Sequence, residues 1–175
     1  SSLQQVTYGG APSAPELVRK IAETFPGSMP GNGWGMTETS ATFTSHLGRD
    51  YEARPDSAGP AAPVGEMQIR DPADGVTVLP TGAVGELWVK GPQVLRAYWN
   101  KPEATAQTFV DGWLRTGDLA RLDEEGFLFI IDRAKDMLIR GGENIYCVEV
   151  ENVLYDHPDV MDAALVGRPH KTLGE

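Results

Sequence analysis

Apolar residues follow a strand pattern and then a helix pattern at the start of the chain. Residues 3–8 end in β-branched and aromatic side chains, which indicates a strand. After the glycine-rich break at residues 9–12, apolar residues recur at the spacing of one helix face: Leu17, Val18, Ile21, Ala22 and Phe25. Pro26 and Gly27 end this helix. The order of strand, loop and helix is typical of an α/β layer.

From residue 64 the pattern changes to short apolar runs separated by proline, glycine and aspartate. The runs predict strands over residues 67–70, 76–79 and 84–89, and a hairpin over residues 119–122 and 127–131. Strands at this spacing indicate a small β-barrel or sandwich. Short helices are predicted after them over residues 95–99 and 102–108. The sequence therefore predicts a mixed α/β fold.

Two further segments lie outside the strand-rich region. Residues 49–63 are rich in proline, glycine and alanine, which predicts an irregular loop. Near the end of the chain, apolar residues lie at helix spacing over residues 148–155. A strand is predicted after this helix, over residues 160–166.

Composition restricts the class of protein further. Hydrophobic residues make up 41% of the 175 residues and charged residues 23%, as in ordinary soluble domains. The formal net charge of -10 argues against nonspecific binding to nucleic acid or to anionic lipid. Cys147 is the single cysteine, which rules out an internal disulfide and predicts a reducing, cytoplasmic location. No apolar run in the sequence approaches the roughly 18 residues of a transmembrane segment.

Residues 32–38 combine residue types that suit a nucleotide. The flat indole of Trp34 stands between two glycines, which let a planar ring approach the backbone. The hydroxyl of Thr37 can bond a phosphate oxygen, and the carboxylate of Glu38 can hold Mg²⁺. The same residues also fit a core tryptophan beside a helix that Thr37 caps. Taken alone, this stretch leaves both interpretations open.

Two later segments carry further candidate ligands. Asp118 follows a glycine, where an acidic side chain can accept bonds from two ribose hydroxyls. A plain turn with an aspartate–backbone bond is the alternative. Residues 132–151 begin with four charged residues in five and continue to Gly141 and Gly142. Arg133 offers a fork of donors to phosphate or ribose oxygens, although a solvated surface loop has the same composition.

Taken in order, five stretches resemble the adenylate-forming superfamily of acyl- and aryl-CoA synthetases, peptide-synthetase adenylation domains and luciferase. The stretches are an acyl- and adenine-pocket loop (8–12), an aromatic-Gly-x-Thr-Glu motif (33–39), a barrel segment (85–91 and 98–105), a ribose-binding motif (113–118) and a hinge (132–136). Trp34 stands where the family usually has tyrosine. Residues 139–151 look more like fatty-acyl or aryl-CoA ligases than like amino-acid adenylation domains. The resemblance covers nearly the whole chain.

The resemblance implies that the chain contains parts of two domains. Residues 1–60 would end the Rossmann-like layer of the AMP-binding large domain. Residues 61–132 would form a small distorted β-barrel that carries the ribose-binding motif. Residues 133–136 would be the hinge, with Lys135 as its pivot, and residues 137–175 would begin the small α+β domain.

The resemblance also implies roles for individual residues. Trp34 would flank adenine, and Asp118 would hold the ribose hydroxyls. The implied catalytic residues are Thr37 at the α-phosphate or the acyl-adenylate, Glu38 on Mg²⁺ and Arg133 on the nucleotide. The other implied cofactor-binding residues are Gly9, Gly10, Ala11, Asn32, Gly33, Gly35, Met36 and, at the pantetheine tunnel, Gly142.

The implied reaction is the ligation of a small carboxylic acid, fatty or aryl, to coenzyme A, with ATP and Mg²⁺. A carrier-protein thiol in place of coenzyme A is one alternative, and a non-catalytic nucleotide-binding fragment is another. The phosphate loop and the adenylation lysine of the family are expected outside this sequence. The 175-residue segment alone is therefore expected to be inactive. The sequence is compatible with a homo-oligomer, and it does not identify the carboxylic acid.

Overall fold

A parallel strand pair bridged by a helix begins the fold. The computed structural model describes residues 2–10, 15–157 and 159–172. β1 (Gln5–Gly9) runs parallel to β2 (Met29–Gly33), and α1 (Pro15–Thr24) makes the crossover that parallel strands require. The predicted α/β unit is therefore confirmed.

A small hairpin and a short helix follow β2. β3 (Gly35–Met36) and β4 (Ala41–Thr42) pair on either side of a 3₁₀ turn at Thr37–Thr39. β5 (His46–Leu47) then pairs antiparallel with β2, and α2 (Gly48–Ala53) follows at once. The chain thus returns to the first sheet directly after the hairpin.

The prediction of an irregular loop over residues 49–63 is wrong at its start, where α2 forms. Tyr51 of α2 is completely buried, and its ring packs edge-on against those of Tyr8 and His46. Its hydroxyl lies 2.5 Å from that of Tyr8, and burial together with this contact raises the pKa of Tyr51. A helix of six residues is not stable alone, so this packing decides that it forms.

A second, larger sheet carries most of the remaining chain. Its strands are β6 (Glu66–Arg70), β7 (Gly85–Lys90), β8 (Phe109–Val110), β9 (Trp113–Leu122) and β10 (Leu128–Arg133). They run antiparallel in the order β10, β9, β7 and β6, with β8 paired to the start of β9. Register shifts in β7 and β10 bend the ladder. The result is a curled half-barrel, and the predicted mixed α/β class is confirmed.

The core lies under the central strand of this sheet. All residues of β7 except the last are buried. The buried cluster around it consists of Phe43, Ala58, Ile69, Leu87, Val89, Leu114, Ala120 and Leu128. Phe43 belongs to the hairpin segment after β4, so the core joins the first part of the chain to the half-barrel.

Two of the predicted elements in this region do not form. Residues 76–79 make an isolated bridge, Arg70 with Val78, and Val76 and Val78 stay exposed. Residues 95–99 form an irregular segment rather than a helix, whereas α3 (Pro102–Thr108) is helical as predicted. Val76, Val78 and Trp99 are exposed, and Leu79 packs against the core without extending the strand ladder.

A hairpin and a helix complete the described chain. β11 (Leu138–Arg140) and β12 (Glu143–Ile145) pair across two glycines, and α4 (Cys147–Tyr155) confirms the predicted helix. The strand predicted over residues 160–166 is wrong, since this stretch pairs with no strand among the described residues. The Glu151 carboxylate instead accepts a bond from the Leu165 amide at 2.8 Å. In the described ranges, no helix is both long and apolar enough to cross a membrane.

Candidate functional site

Trp34 occupies a fixed position between the two sheets. Its carbonyl accepts bonds from the amides of Phe43 and Thr44, at 2.8 and 3.0 Å. Its own amide donates to the Thr44 hydroxyl at 2.9 Å, and its ring meets that of Phe43 edge-on. The backbone polar groups of Trp34 are therefore satisfied within the protein, which fixes the indole.

Asp118 lies beside this indole although it comes 84 residues later. The indole N–H of Trp34 donates to Asp118 Oδ2 at 2.8 Å. Arg133 on the neighbouring strand β10 places its Nε 3.6 Å from Asp118 Oδ1. Burial raises the pKa of the Asp118 carboxyl, while the indole N–H and the Arg133 charge oppose this rise.

These three residues line a cavity of about 970 Å³. Its size falls at the upper end of the range for small-molecule sites, roughly 300–1,000 Å³. Other predicted site residues on its wall are Gly10, Asn32, Gly33, Gly35, Met36 and Lys135. The opposite wall comes from α4 and from the stretch that follows it. The cavity thus lies between the half-barrel and the last helix.

A second cavity, of about 820 Å³, adjoins the first. The two share Gly10 and residues 32–36, and the second adds Gly9, Thr37 and Tyr8. Ala11, another predicted site residue, lies outside the described residues. Most of the predicted site residues therefore line these two adjoining cavities.

Glu38 and Gly142 line neither cavity. Glu38 Oε1 accepts a bond from the Tyr98 hydroxyl at 2.6 Å, and burial followed by this bond raises the pKa of Tyr98. Gly142 sits in the β11–β12 turn at φ +91, and a Cβ added there would meet no atom within 4 Å. The structure therefore does not bring these two residues to the Trp34–Asp118 pair.

The glycines on either side of Trp34 have a structural reason to be glycines. A Cβ on Gly35 would lie 1.8 Å from the Ala41 carbonyl oxygen, and one on Gly33 would lie 2.6 Å from that of Thr44. The sequence predicts that glycine at these positions lets a ligand approach the backbone. In the structure, the atoms that lie close to Gly33 and Gly35 belong to the protein's own backbone.

A family model described as "AMP-binding enzyme" matches residues 1–99. The chain belongs to this family. The matched region includes the loop at Gly10 and the whole segment from Asn32 to Glu38. Asp118 and Arg133 lie beyond it, and the structure brings them to Trp34.

Known relatives of this AMP-binding chain are ligases. It is 42% identical over 176 residues to 2-succinylbenzoate–CoA ligase of Bacillus cytotoxicus, covering 100% of this chain and 35% of the relative. It is 38% identical to a long-chain-fatty-acid–CoA ligase of Yersinia pestis, covering 99% of this chain and 30% of that protein. The chain thus spans about a third of the length of these curated relatives.

A solved structure of similar fold is the o-succinylbenzoate coenzyme A synthetase of Bacillus subtilis in complex with ATP and magnesium ion. The TM-score is 0.87 and the sequence identity 37%, over 97% of this chain and 35% of that one. Backbone agreement at this level means that the AMP-binding chain has the same arrangement of sheets and helices.

Tyr98, Thr44 and Asp132 contribute to the site of this AMP-binding chain but were not predicted as site residues. Tyr98 binds Glu38 from 60 residues away, and Thr44 fixes the Trp34 backbone. Asp132 is 3% exposed and lines the larger cavity. Of these three residues, only Asp132 could have been singled out from the sequence, because a carboxylate at the end of an apolar strand is unusual.

Proposed function

We propose that the protein is an ATP-dependent ligase that joins a carboxylic acid to coenzyme A. The observation that carries the proposal is the contact of Trp34 with Asp118 at the wall of the larger cavity. An indole face can stack on adenine, and a carboxylate beside it can accept bonds from the vicinal hydroxyls of ribose. The two curated relatives are CoA ligases, which supports the second half of the reaction.

The proposed reaction has two steps. A carboxylate oxygen of the acid attacks the α-phosphorus of ATP, pyrophosphate leaves, and an acyl-adenylate forms. The thiol sulfur of coenzyme A then attacks the acyl carbon, and AMP leaves as the thioester forms. The protein's contribution is to position the reactants and to stabilise developing charge.

Each proposed role follows from the position of a side chain. Trp34 would stack on adenine, and Asp118 would bind ribose, because both line the larger cavity. Arg133 would contact the nucleotide from the same wall, where its guanidinium already faces the Asp118 carboxylate. Thr37 would contact the α-phosphate from the second cavity. The nucleotide would therefore extend from the larger cavity into the second cavity.

Mg²⁺ would be held by Glu38 together with phosphate oxygens. Among the described residues, no group of three or more histidine, cysteine or acidic side chains is arranged to hold a metal by itself. One carboxylate fits Mg²⁺, which in phosphate sites usually takes one or two carboxylates and completes its shell with phosphate and water. Glu38 would have to share or exchange its bond with the Tyr98 hydroxyl. The ion would supply charge neutralisation at the phosphates.

The second step would use motion about Lys135. We propose residues 1–60 and 61–132 as parts of the large domain, 133–136 as the hinge and 137–175 as the start of the small domain. Gly142 would line the pantetheine tunnel after the small domain turns, since it now lies away from the nucleotide cavity. Domain motion of this kind assembles a second site on the same intermediate.

We propose an aryl or fatty acid as the substrate and the cytoplasm as the location. The relatives act on 2-succinylbenzoate and on long-chain fatty acids, so both acid classes are candidates. The single cysteine is consistent with a reducing compartment. The acidic net charge of -10 favours small-molecule partners over nucleic acid.

The test is pyrophosphate exchange into ATP by the full-length protein with 2-succinylbenzoate, 4-coumarate or dodecanoate as the acid. We expect acid-dependent exchange with one of these, and thioester formation when coenzyme A is added. Asp118→Ala should reduce exchange at least tenfold, since hydrogen bonds to charged groups contribute about 1.5–3 kcal/mol. Glu124→Ala, in the exposed hairpin tip, removes the same charge away from the site and is the matched control.

Other outcomes separate the alternatives. Exchange without thioester formation from coenzyme A, but with acyl transfer to a pantetheinylated carrier protein, would favour the carrier-loading function. Binding of AMP without any exchange would favour a non-catalytic nucleotide-binding protein. Equal losses in the Asp118 and Glu124 variants would remove the assignment of Asp118.

A further inference from the structure

Asp132 is a buried carboxylate with two backbone partners. Its Oδ1 accepts from the Arg133 amide at 2.8 Å, and its Oδ2 accepts from the Cys147 amide at 2.5 Å. The side chain is 3% exposed at the end of β10, next to the register shift at residue 131. A charge so far removed from water requires this kind of compensation.

Cys147 is the first residue of α4, where amides have no partner within the helix. No side chain of the preceding residue Tyr146 caps this end. Asp132 therefore supplies the missing acceptor from another strand, and its negative charge is favourable at a helix N-terminus. The Asp132–Cys147 bond ties the first turn of α4 to the half-barrel.

The Asp132–Cys147 bond spans the proposed pivot Lys135. On the N-terminal side, the Ala134 amide donates to the Gly117 carbonyl, which fixes the start of the hinge to β9. On the C-terminal side, the Cys147 thiol donates to the Asp136 carbonyl at 3.0 Å. Rotation about Lys135 would leave these two contacts intact but would separate Asp132 from the Cys147 amide. The long-range bond must therefore break when the small domain turns.

The orientation that the bond holds is the one in which Gly142 lies outside the nucleotide cavity. A thiol that arrives beside Gly142 cannot reach an acyl-adenylate there. The bonded arrangement therefore belongs to the first step.

We infer that Asp132 is a positioning residue whose bond to the Cys147 amide holds residues 137–172 in the adenylation orientation and breaks before thiol attack. This inference rests on the proposed two-step function. Both oxygens of the Asp132 carboxylate already accept bonds from backbone amides, so its loss changes the balance between steps rather than the chemistry of either.

The test weakens the acceptor and removes the donor separately in the full-length protein. Asp132→Asn keeps the shape, removes the charge and leaves one acceptor oxygen for two backbone amides. Cys147→Pro removes the donor, and proline suits the first helical position, with Tyr146 at φ -85 and ψ 116 already in the conformation that precedes proline. Cys147→Ala keeps the amide and is the matched control for loss of the thiol.

The two steps are measured apart, with 2-succinylbenzoate, 4-coumarate or dodecanoate, whichever supports exchange. We expect Asp132→Asn and Cys147→Pro each to lower pyrophosphate exchange about tenfold, the loss typical of one hydrogen bond to a charged group. Thioester formation from supplied acyl-adenylate should not fall. The double variant should be no slower than Cys147→Pro alone, because both changes act on the same bond. Cys147→Ala should keep the wild-type ratio of the two rates.

A second readout does not depend on activity. Spin labels at Glu124→Cys and Glu149→Cys, both exposed, report the distance between the hairpin tip and α4 in a background with Cys147→Ala and with any cysteine outside residues 1–175 replaced. Adding Asp132→Asn should broaden that distance distribution. Equal loss of both steps, an unchanged ratio, or an unchanged distribution would overturn the inference. A broadened distribution in a protein with no exchange would show that the bond fixes the orientation of α4, and it would reject the proposed ligase function and with it the link to adenylation.

Discussion

At the scale of single residues, the contact between Trp34 and Asp118 is the central feature. The indole does more than offer a flat face, because its N–H occupies one side of Asp118 Oδ2. Each carboxylate oxygen has two acceptor positions, so positions remain for ribose hydroxyls. The indole and Arg133 together orient the carboxylate before any ligand arrives.

Trp34→Phe should weaken AMP binding and shift its pH dependence. The variant keeps an aromatic face but loses the N–H that opposes the rise of the Asp118 pKa. Since the proposed contact with ribose uses the ionised carboxylate, the loss of affinity on acidification should begin at a higher pH than in the wild type. We expect about a tenfold loss at neutral pH. Titration calorimetry with AMP across a pH series measures both effects.

Other charged groups near Asp118 also affect the pH dependence of AMP binding, so the pH series needs a control variant. Arg133 faces it from β10, and the same cavity is lined by Asp56, Asp132, Lys135 and Asp136. Glu124→Gln, in the hairpin tip, serves as the control variant. If the affinity of Trp34→Phe for AMP fell over the same acidic pH range as that of the wild type, this result would contradict the role of the indole N–H.

Asp118→Asn should stabilise the fold while it removes nucleotide binding. Burial raises the folded-state pKa of Asp118 above its unfolded value, so the folded protein binds this proton more tightly. Stability from this group is then present at low pH and is lost as pH rises through the folded pKa. At neutral pH the ionised carboxylate therefore costs stability, which asparagine removes. Urea denaturation at pH 7 should give a higher midpoint, and the difference should vanish in acid.

At the scale of elements, the β3–β4 hairpin places Trp34 and Thr37. Its strands approach so closely that a Cβ on Gly35 would lie 1.8 Å from a carbonyl oxygen. The 3₁₀ turn between the strands is held by Thr39, whose hydroxyl contacts the backbone of both Met36 and Ala41. The position of the proposed phosphate contact therefore depends on backbone packing.

Gly35→Ala should destabilise the protein by more than glycine conformation alone explains. The added carbon meets backbone, which cannot move aside as a flexible side chain can. Gly126→Ala is the control, since Gly126 has φ +82 with no atom within 4 Å of the added carbon, and should cost about 1–2 kcal/mol. Equal free energies of unfolding in the two variants, from urea titrations, would show that the hairpin relaxes.

At the scale of the whole molecule, the larger cavity lies where the half-barrel, the first sheet and α4 meet. A ligand in this position touches all three parts, so its binding should stabilise them together. AMP at 100 times its dissociation constant should add about 2.7 kcal/mol to the free energy of unfolding. Thermal denaturation should show a higher midpoint with AMP in the wild type and a clearly smaller rise in Asp118→Ala.

The sequence by itself determined several of the regular elements and the identity of the candidate ligands. β1, α1, the β9–β10 hairpin and α4 follow from local periodicity, because their apolar faces have enough residues to show a period. Trp34, Thr37, Glu38, Asp118 and Arg133 could be chosen because short motifs in a fixed order carry a family's chemistry. Their roles remain predictions.

Only the tertiary structure decided what lies beside what. Trp34 and Asp118 are 84 residues apart, and Tyr98 and Glu38 are 60 apart, so no local pattern could pair them. α2 forms because Tyr51 is buried on folding, and residues 160–166 form no strand because no strand in the described part of the chain pairs with them. The local sequence determines which backbone conformations are low in energy, whereas long-range packing determines which side chains come into contact. For that reason the Asp132–Cys147 bond became visible only in the folded chain.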